Sequence, residues 1–252
     1  MKAGPRSPDF AAEVFHADKT YFVLNGSSSA NKVVANALLA PGDLVLYDRN
    51  NHKSVAIGAL IQAGAEPVYL ETARNPYGFI GGIDAHCFGE GYLRELAAER
   101  NPEKAKAKRP FRLAVIQLDT YDGTLYNARY VVDRIGHLCD YILFDSAWAG
   151  YEQFIPMLKD CSPLLLDLQD DDPGILVVQS VHKQQAGFSQ VRRSIRRTIT
   201  SMIRSATATT RYLTIPSWPM LRQVLFIPCL PPLPSMPRST PVLPAARCGW
   251  TA

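Results

Sequence analysis

The sequence predicts an α/β fold with a mainly parallel sheet, and three observations carry the prediction. Apolar runs alternate with helix-prone segments from residue 19 to residue 180, which is the grammar of strand–helix–strand units. The last of these runs, Gly174-Ile-Leu-Val-Val-Gln179, is β-branched and apolar, as in a buried strand. Two runs end in residues able to do chemistry: one at Asp145, the other at Ser180-Val-His-Lys183. Parallel sheets open a crevice at the carboxyl ends of their strands, so groups placed there face a common space.

Taken in order, Lys19-Thr-Tyr-Phe-Val-Leu24 reads as the first strand, followed by Asn25-Gly-Ser-Ser-Ser29 and a helix from Ala30 to Leu39. Pro41-Gly42 ends that helix. Asp43-Leu-Val-Leu-Tyr47 is the second strand, running into Asp48-Arg-Asn-Asn-His-Lys53. Ser54 to Ala63 is a helix of small residues with Gly64 as its cap, and Glu66-Pro-Val-Tyr-Leu70 is the third strand. A polar loop with Asn75-Pro-Tyr-Gly78 and Gly81-Gly82 precedes a charged helical stretch over 90–105. Phe111 to Leu118 is the fourth strand, Tyr130 to Leu138 an amphipathic helix, and Asp140 to Ser146 the fifth strand.

The chain is two materials joined near Gln190. Residues 191–252 contain no Asp, Glu or Lys, but nine Arg and nine of the 19 prolines. The whole chain carries +4; with nine charges in the tail, residues 1–190 carry −5. The basic balance therefore describes the tail, and residues 1–190 have no electrostatic reason to seek nucleic acid or an anionic membrane. In the tail, Val191, Ile195, Ile199 and Met202 fall at helical spacing with arginines opposite, a pattern able to bind a membrane surface or an acidic partner. The alternative is a tract read out of frame, irregular or disordered. Val224-Leu-Phe-Ile-Pro228 and the prolines after it exclude a continuous helix.

Cys87, Cys139, Cys161, Cys229 and Cys248 show no ligand spacing and read as reduced thiols of a cytoplasmic protein. Met1-Lys-Ala-Gly-Pro-Arg-Ser-Pro8 has no apolar core of a signal peptide, and no apolar run reaches the roughly 18 residues of a membrane span. Asp167 and Asp170-Asp-Asp172 read as a solvated acidic turn, His86-Cys87 as structural, and Asp122-Gly-Thr124 as a tight turn.

Lys183 and Asp145 are the pair of protein groups that pyridoxal 5'-phosphate (PLP) chemistry needs. One is an amine to condense with the aldehyde; the other is a carboxylate to keep the pyridine nitrogen protonated. Each has a plainer reading, a solvated loop lysine and a helix N-cap. Gly26-Ser-Ser-Ser29, between strand and helix, offers N–H groups and hydroxyls to a phosphate, though serines cap helices generally. His52 follows the second strand, where an imidazole could stack on a ring or simply face solvent.

Together these segments resemble the bacterial ornithine/lysine/arginine decarboxylases, most closely the inducible ornithine type. The motifs are Phe22-Val-Leu-Asn-Gly-Ser-Ser-Ser29, Asp48-Arg-Asn-Asn-His-Lys-Ser54, Asp145-Ser-Ala-Trp-Ala-Gly-Tyr-Glu-Gln153 and Ser180-Val-His-Lys-Gln-Gln-Ala-Gly-Phe-Ser-Gln190. Thr120-Tyr-Asp-Gly123 and Ala73-Arg-Asn-Pro-Tyr-Gly-Phe-Ile-Gly-Gly-Ile-Asp84 add to them. The resemblance implies an aspartate-aminotransferase-like (fold type I) PLP domain. It makes Lys183, Asp145 and His52 catalytic: Lys183 anchors the cofactor, Asp145 pairs with the ring nitrogen and His52 stacks on the ring. Ser27, Ser28, Ser180 and His182 would hold the phosphate, with Trp148 near the ring oxygen. The implied substrate is L-ornithine, released as putrescine and carbon dioxide, at a site lying on a homo-oligomer's dimer interface.

The resemblance covers about residues 10–190, so residues 1–190 are expected to be part of a PLP-binding major domain and 191–252 a separate tail. Past Gln190 the family has two small residues; here Val191-Arg192 stand where the composition changes. A change of reading frame accounts for both. The expectation is then an incomplete decarboxylase with little or no activity. The competing readings are a truncated non-enzyme and a binding module built on the basic tail.

Overall fold

The computed structural model describes residues 8–23, 25–48, 50–121, 123–184 and 223–226. Its framework is a seven-stranded sheet in which every pairing is parallel. The strands are β1 (Lys19–Phe22), β2 (Leu44–Asp48), β3 (Glu66–Leu70), β6 (Phe111–Gln117), β7 (Cys139–Ser146), β8 (Gly174–Gln179) and β9 (Gln223–Phe226). They lie in the order β1-β9-β8-β7-β6-β2-β3. Strands β4 (Thr72–Arg74) and β5 (Ile80–Ile83) form a separate antiparallel hairpin. The sequence predicts a loop over that segment, because its Asn-Pro-Tyr-Gly turn and paired glycines hide the short flanking strands.

Helices cover both faces, as an all-parallel sheet requires. They are α1 (Pro8–Val14), α2 (Ser27–Leu38), α3 (Lys53–Ala56), α4 (Glu90–Arg100), α5 (Pro102–Ala105), α6 (Ala128–Ile135) and α7 (Val181–Gln184). Asn101 and Asn127 cap α5 and α6 by accepting from Lys104 N and Tyr130 N, at 3.1 and 2.9 Å. The helix expected over Ser54–Ala63 starts as α3 and widens to a π-type turn over Ile57–Gln62.

Side chains alternate across a strand, and that alternation aims the site. Leu113 and Val115 of β6, Leu143 of β7 and Leu176 and Val178 of β8 pack against Ala30, Val34 and Ala35 of α2. Gln117, Asp145 and Ser180 continue those three rows past the apolar core. On the other face Ile116, Ile142, Phe144, Ile175 and Val177 meet Leu93 and Ala97 of α4 and Val131, Val132 and Ile135 of α6. Fully burying each such side chain is worth about 1.5–3 kcal/mol.

Where composition predicts an irregular tail, Gln223–Phe226 is a strand that pairs with both β1 and β8. Strand pairing needs only backbone N–H and C=O groups, so an apolar run from any source can fill a gap between strands. The helical spacing of Val191 to Met202 lies outside the described residues. No described helix is long and apolar enough to cross a membrane, and no described His, Cys, Asp and Glu residues group as a metal site.

Candidate active site

A cleft of about 390 Å³ opens at the carboxyl ends of β1, β6, β7 and β8 and beside the start of α3. Its lining brings together all eight residues singled out in the sequence: Ser27, Ser28, His52, Asp145, Trp148, Ser180, His182 and Lys183. Asn25, Gly26, Gln117 and Ala147 complete it. These residues come from five separate stretches, and the parallel sheet alone makes them neighbours.

Asp145 sits at the floor, 3 % exposed. Its Oδ2 accepts from Asn31 Nδ2 at 2.9 Å, while Oδ1 has no hydrogen-bond partner among the described residues. Burial pushes its carboxyl up to about 6; the Asn31 amide and the Lys183 charge hold it down against that. At neutral pH it is ionised, with one oxygen in use and one free.

Lys183 closes the other side from α7, whose first turn is held by Lys183 N donating to Ser180 O at 3.1 Å. Its Nζ stands 4.2 Å from the centre of the Trp148 ring. Burial lowers its amine from the ordinary lysine range, opposed by the charges of Asp145 and Asp119. A lysine depressed in this way offers more free amine near neutrality. Trp148 is carried by the loop after β7. That loop is fixed by buried Glu152, which accepts from the Gly150 backbone N–H.

The N-terminus of α2 forms an anion cradle. Gly26 precedes it with φ 86°, a conformation that favours glycine, and no side chain caps the helix. The first-turn N–H groups of a helix are intrinsically unpaired, so Ser27 and Ser28 present theirs to the cleft. Ser180 Oγ donates to Ser27 Oγ at 2.9 Å, tying β8 to α2 across the cradle. His182 Nδ1 is buried without a partner among the described residues, and burial and the Lys183 charge lower its imidazole.

His52 stands at the rim as the N-cap of α3. Its Nδ1 accepts from Ser54 N at 3.2 Å and lies 2.9 Å from Ser54 Oγ. With Nδ1 committed, the ring is fixed in orientation. Burial and the charges of Lys183 and Lys53 lower its pKa, so the ring is neutral near pH 7.

Three residues of the site were not singled out in the sequence. Asn31 touches Asp145 from α2, Gln117 lines the cleft, and Asp119 lies within electrostatic reach of Asp145 and Lys183. The two-residue rhythm of β6, running Leu113, Val115, Gln117, Asp119, could have pointed to the last two. Nothing local marks Asn31. The acidic residues before β8 form a solvated turn, with Asp172 Oδ2 accepting from Gln169 N at 2.8 Å. Gly123, at φ 95°, sits in the tight turn closed by Thr120 and Thr124.

The donor set suits PLP. An unpaired carboxylate oxygen at the floor fits a protonated ring nitrogen, an uncapped helix start with two serines fits a phosphate, and a depressed lysine fits an aldehyde.

Comparison with known proteins agrees with the geometry. The family model described as Orn/Lys/Arg decarboxylase, major domain, matches residues 3–210. The inducible ornithine decarboxylase of Escherichia coli (strain K12) is 82 % identical over 180 residues, 71 % of this chain and 25 % of that protein. The ornithine decarboxylase of Haemophilus influenzae is 79 % identical over 181 residues, 72 % of this chain and 25 % of that protein. Among solved structures, lysine decarboxylase A from Pseudomonas aeruginosa superposes with a TM-score of 0.68 at 30 % identity. That match covers 84 % of this chain and 28 % of that one. The chain thus spans about a quarter of the length of the curated relatives it matches.

Proposed function

The chain belongs to the Orn/Lys/Arg decarboxylase family, and on that premise we propose that it carries the cofactor half-site of a PLP-dependent amino-acid decarboxylase. Asp145 carries the reading: a carboxylate 3 % exposed, with Oδ1 unpartnered, in one cleft with Lys183. Leaving such an atom unpaired costs about 1–3 kcal/mol, a cost that a ring N–H would remove.

Bound in this cleft, PLP supplies an electron sink for the pair of electrons left on Cα when an amino acid loses carbon dioxide. Lys183 is the covalent anchor, its amine depressed by burial. Asp145, held ionised by Asn31, favours the protonated ring nitrogen through opposite charge. Ser27, Ser28, Ser180 and His182 take the phosphate at the start of α2. His52, pinned by Ser54, offers a neutral ring face, and Trp148 closes the side next to Lys183.

L-Ornithine is the substrate we assign, with putrescine and carbon dioxide as products. The support is the contrast between 82 % identity to an ornithine decarboxylase and 37 % to a lysine decarboxylase. The same proposal takes residues 1–190 as part of the major domain and 191–252 as a tail in another reading frame. It also places the site at an interface between two copies of the chain. Reading the gene in its other frames beyond codon 190 tests the tail; sedimentation tests the dimer. The isolated chain is expected to form little or no putrescine.

The direct test mixes purified protein with PLP and treats it with borohydride. A covalent adduct fixed on Lys183, with its shifted absorption and mass, is expected. It should be absent from Lys183→Ala. No adduct on the wild type would reject the half-site.

A further inference from the structure

Lys183 lies in the four-residue helix α7, and its flexible four-carbon stem lets the amine sweep the cleft unless something holds it. Among the described residues its Nζ makes no hydrogen bond and no ion pair. What it has is the Trp148 ring, with Nζ over the face at 4.2 Å from the centre. Both residues line the cleft. An indole face is the negative side of the ring's quadrupole and the best of the aromatic faces for a cation. The chain on either side fixes the ring's place. Ser146 before it is buried at the end of β7 and Ala149 after it is 1 % exposed. Gly150 then turns the loop at φ 108° and donates its N–H to buried Glu152. The loop holds the ring, and the mobile lysine comes to it.

We propose that Trp148 is a positioning residue for Lys183: its ring face docks the protonated amine, holding the anchor lysine at one wall of the cleft and keeping its proton on. The attraction acts on one protonation state only, because a neutral amine has no charge for the quadrupole to hold. The titratable groups that act on the amine are the Asp145 and Asp119 carboxyls, which favour its charged form, and the His52 and His182 imidazoles, which its charge disfavours in theirs. Burial works the other way and lowers the amine. Trp148 therefore has two opposed effects on Lys183. As a bulky neighbour it excludes water and favours the neutral amine; as a π face it favours the ammonium. The 4.2 Å approach over the ring makes the second the larger. The inference rests on the reading of Lys183 as the anchor of a PLP cleft, but it concerns the lysine before any cofactor arrives.

The test follows Lys183 without cofactor. Competitive acetylation of the whole chain with acetic anhydride between pH 6 and 11, read by peptide mass, gives its apparent pKa. Trp148→Leu should lower that pKa by about half a unit to one unit, roughly three- to tenfold more free amine at fixed pH. Trp148→Phe, with a weaker face, should fall between Leu and the wild type. Shielding alone predicts the reverse order, since the larger Phe would exclude more water than Leu and leave the lysine lower. A Leu variant equal to or above the wild type, or a Phe variant no higher than Leu, overturns the proposal. If the variants do not fold, fluorescence of the chain carrying Trp218→Phe and Trp250→Phe decides it, with Trp148 as the one remaining indole. Its emission should step as Lys183 loses its proton, and Lys183→Met should abolish the step; the same titration curve in both rejects the docking. The borohydride-fixed PLP adduct, measured beside it, separates the two readings. The lysine shift without an adduct rejects the cofactor alone, and an adduct without the shift rejects the role of Trp148 alone.

Discussion

Asn31 Nδ2 reaches Asp145 Oδ2 at 2.9 Å across 114 residues of sequence, and by occupying that oxygen it leaves Oδ1 as the free one. The bond joins the helix that starts at the anion cradle to the strand that carries the carboxylate. One side chain therefore couples the two ends of the cleft.

Asn31→Ala should cost about 1–3 kcal/mol of stability, because Asp145 Oδ2 is left buried without a donor. It should also raise the Asp145 carboxyl further, since the amide is what opposes burial there. Urea unfolding of the variant at pH 5 and pH 7 checks both. The deficit should be larger at pH 7, where Asp145 is ionised; an equal deficit at the two values would contradict this.

Buried carboxyls give the fold a characteristic pH dependence, and Glu152 is raised by burial along with three aspartates. Asp48 and Asp145 are raised from 3.8 to about 6, and Asp119 from 3.8 to about 8, each chiefly by burial. The folded state then binds these protons more tightly than the unfolded chain. Their contribution is full below about pH 4 and is lost as pH rises through 6 and then 8. Thermal unfolding midpoints should fall over that window, and Asp119→Asn should flatten the upper part.

The anion cradle predicts separate losses of affinity for Ser27→Ala and Ser180→Ala. Each removes one hydroxyl from the pair linked at 2.9 Å. At about 1 kcal/mol per hydrogen bond, PLP should bind several-fold to tenfold more weakly in each. Titration of the adduct's absorption with PLP would show it. The double variant should lose less than the sum, because the two hydroxyls share one bond.

Strand β9 links β1 to the rest of the sheet, since β1 pairs only with β9 among the described strands. Leu225→Pro removes a ladder N–H from a strand with a neighbour on each side and should cost about 3 kcal/mol. Deleting residues 191–252 should free both β1 and the edge of β8, inviting aggregation. Hydrogen exchange at Lys19–Phe22 is the readout; unchanged protection in the variant would show that β9 does not hold β1.

Gly174 opens β8 opposite Tyr141, and a Cβ there would stand 2.6 Å from Tyr141 Cδ1. The Tyr141 ring also carries the Arg112 guanidinium at 5.1 Å. Gly174→Ala should therefore destabilise by about 1–3 kcal/mol through overpacking. Chemical denaturation measures it, and Tyr141→Ala in the same chain should relieve part of the loss.

The strands were legible because apolar β-branched runs bounded by Gly and Pro mean little else, and the helix of residues 128–135 because its apolar spacing is regular. The candidate site was legible as short motifs: Ser27, His52 and Lys183 follow strand ends, and Asp145 lies in the last two residues of β7. The β4–β5 hairpin was not, because three- and four-residue strands around a Gly-rich turn carry little pattern. Asn31, Gln117 and Asp119 were missed for another reason. Their importance lies in what they face, and a polar residue within a helix or past a strand end looks locally like any other.

Sequence by itself determined the family, the alternation of strands and helices, and the residue types offered to a cofactor, because local propensity and motif chemistry are written in neighbouring residues. Only the tertiary structure decided which oxygen of Asp145 is free, that Asp119 is buried without a hydrogen-bond partner among the described residues, and that a piece of the basic tail lies between β1 and β8. Those facts depend on burial and on charges brought close by strand order, and the energy of a buried charge is set by neighbours distant along the chain.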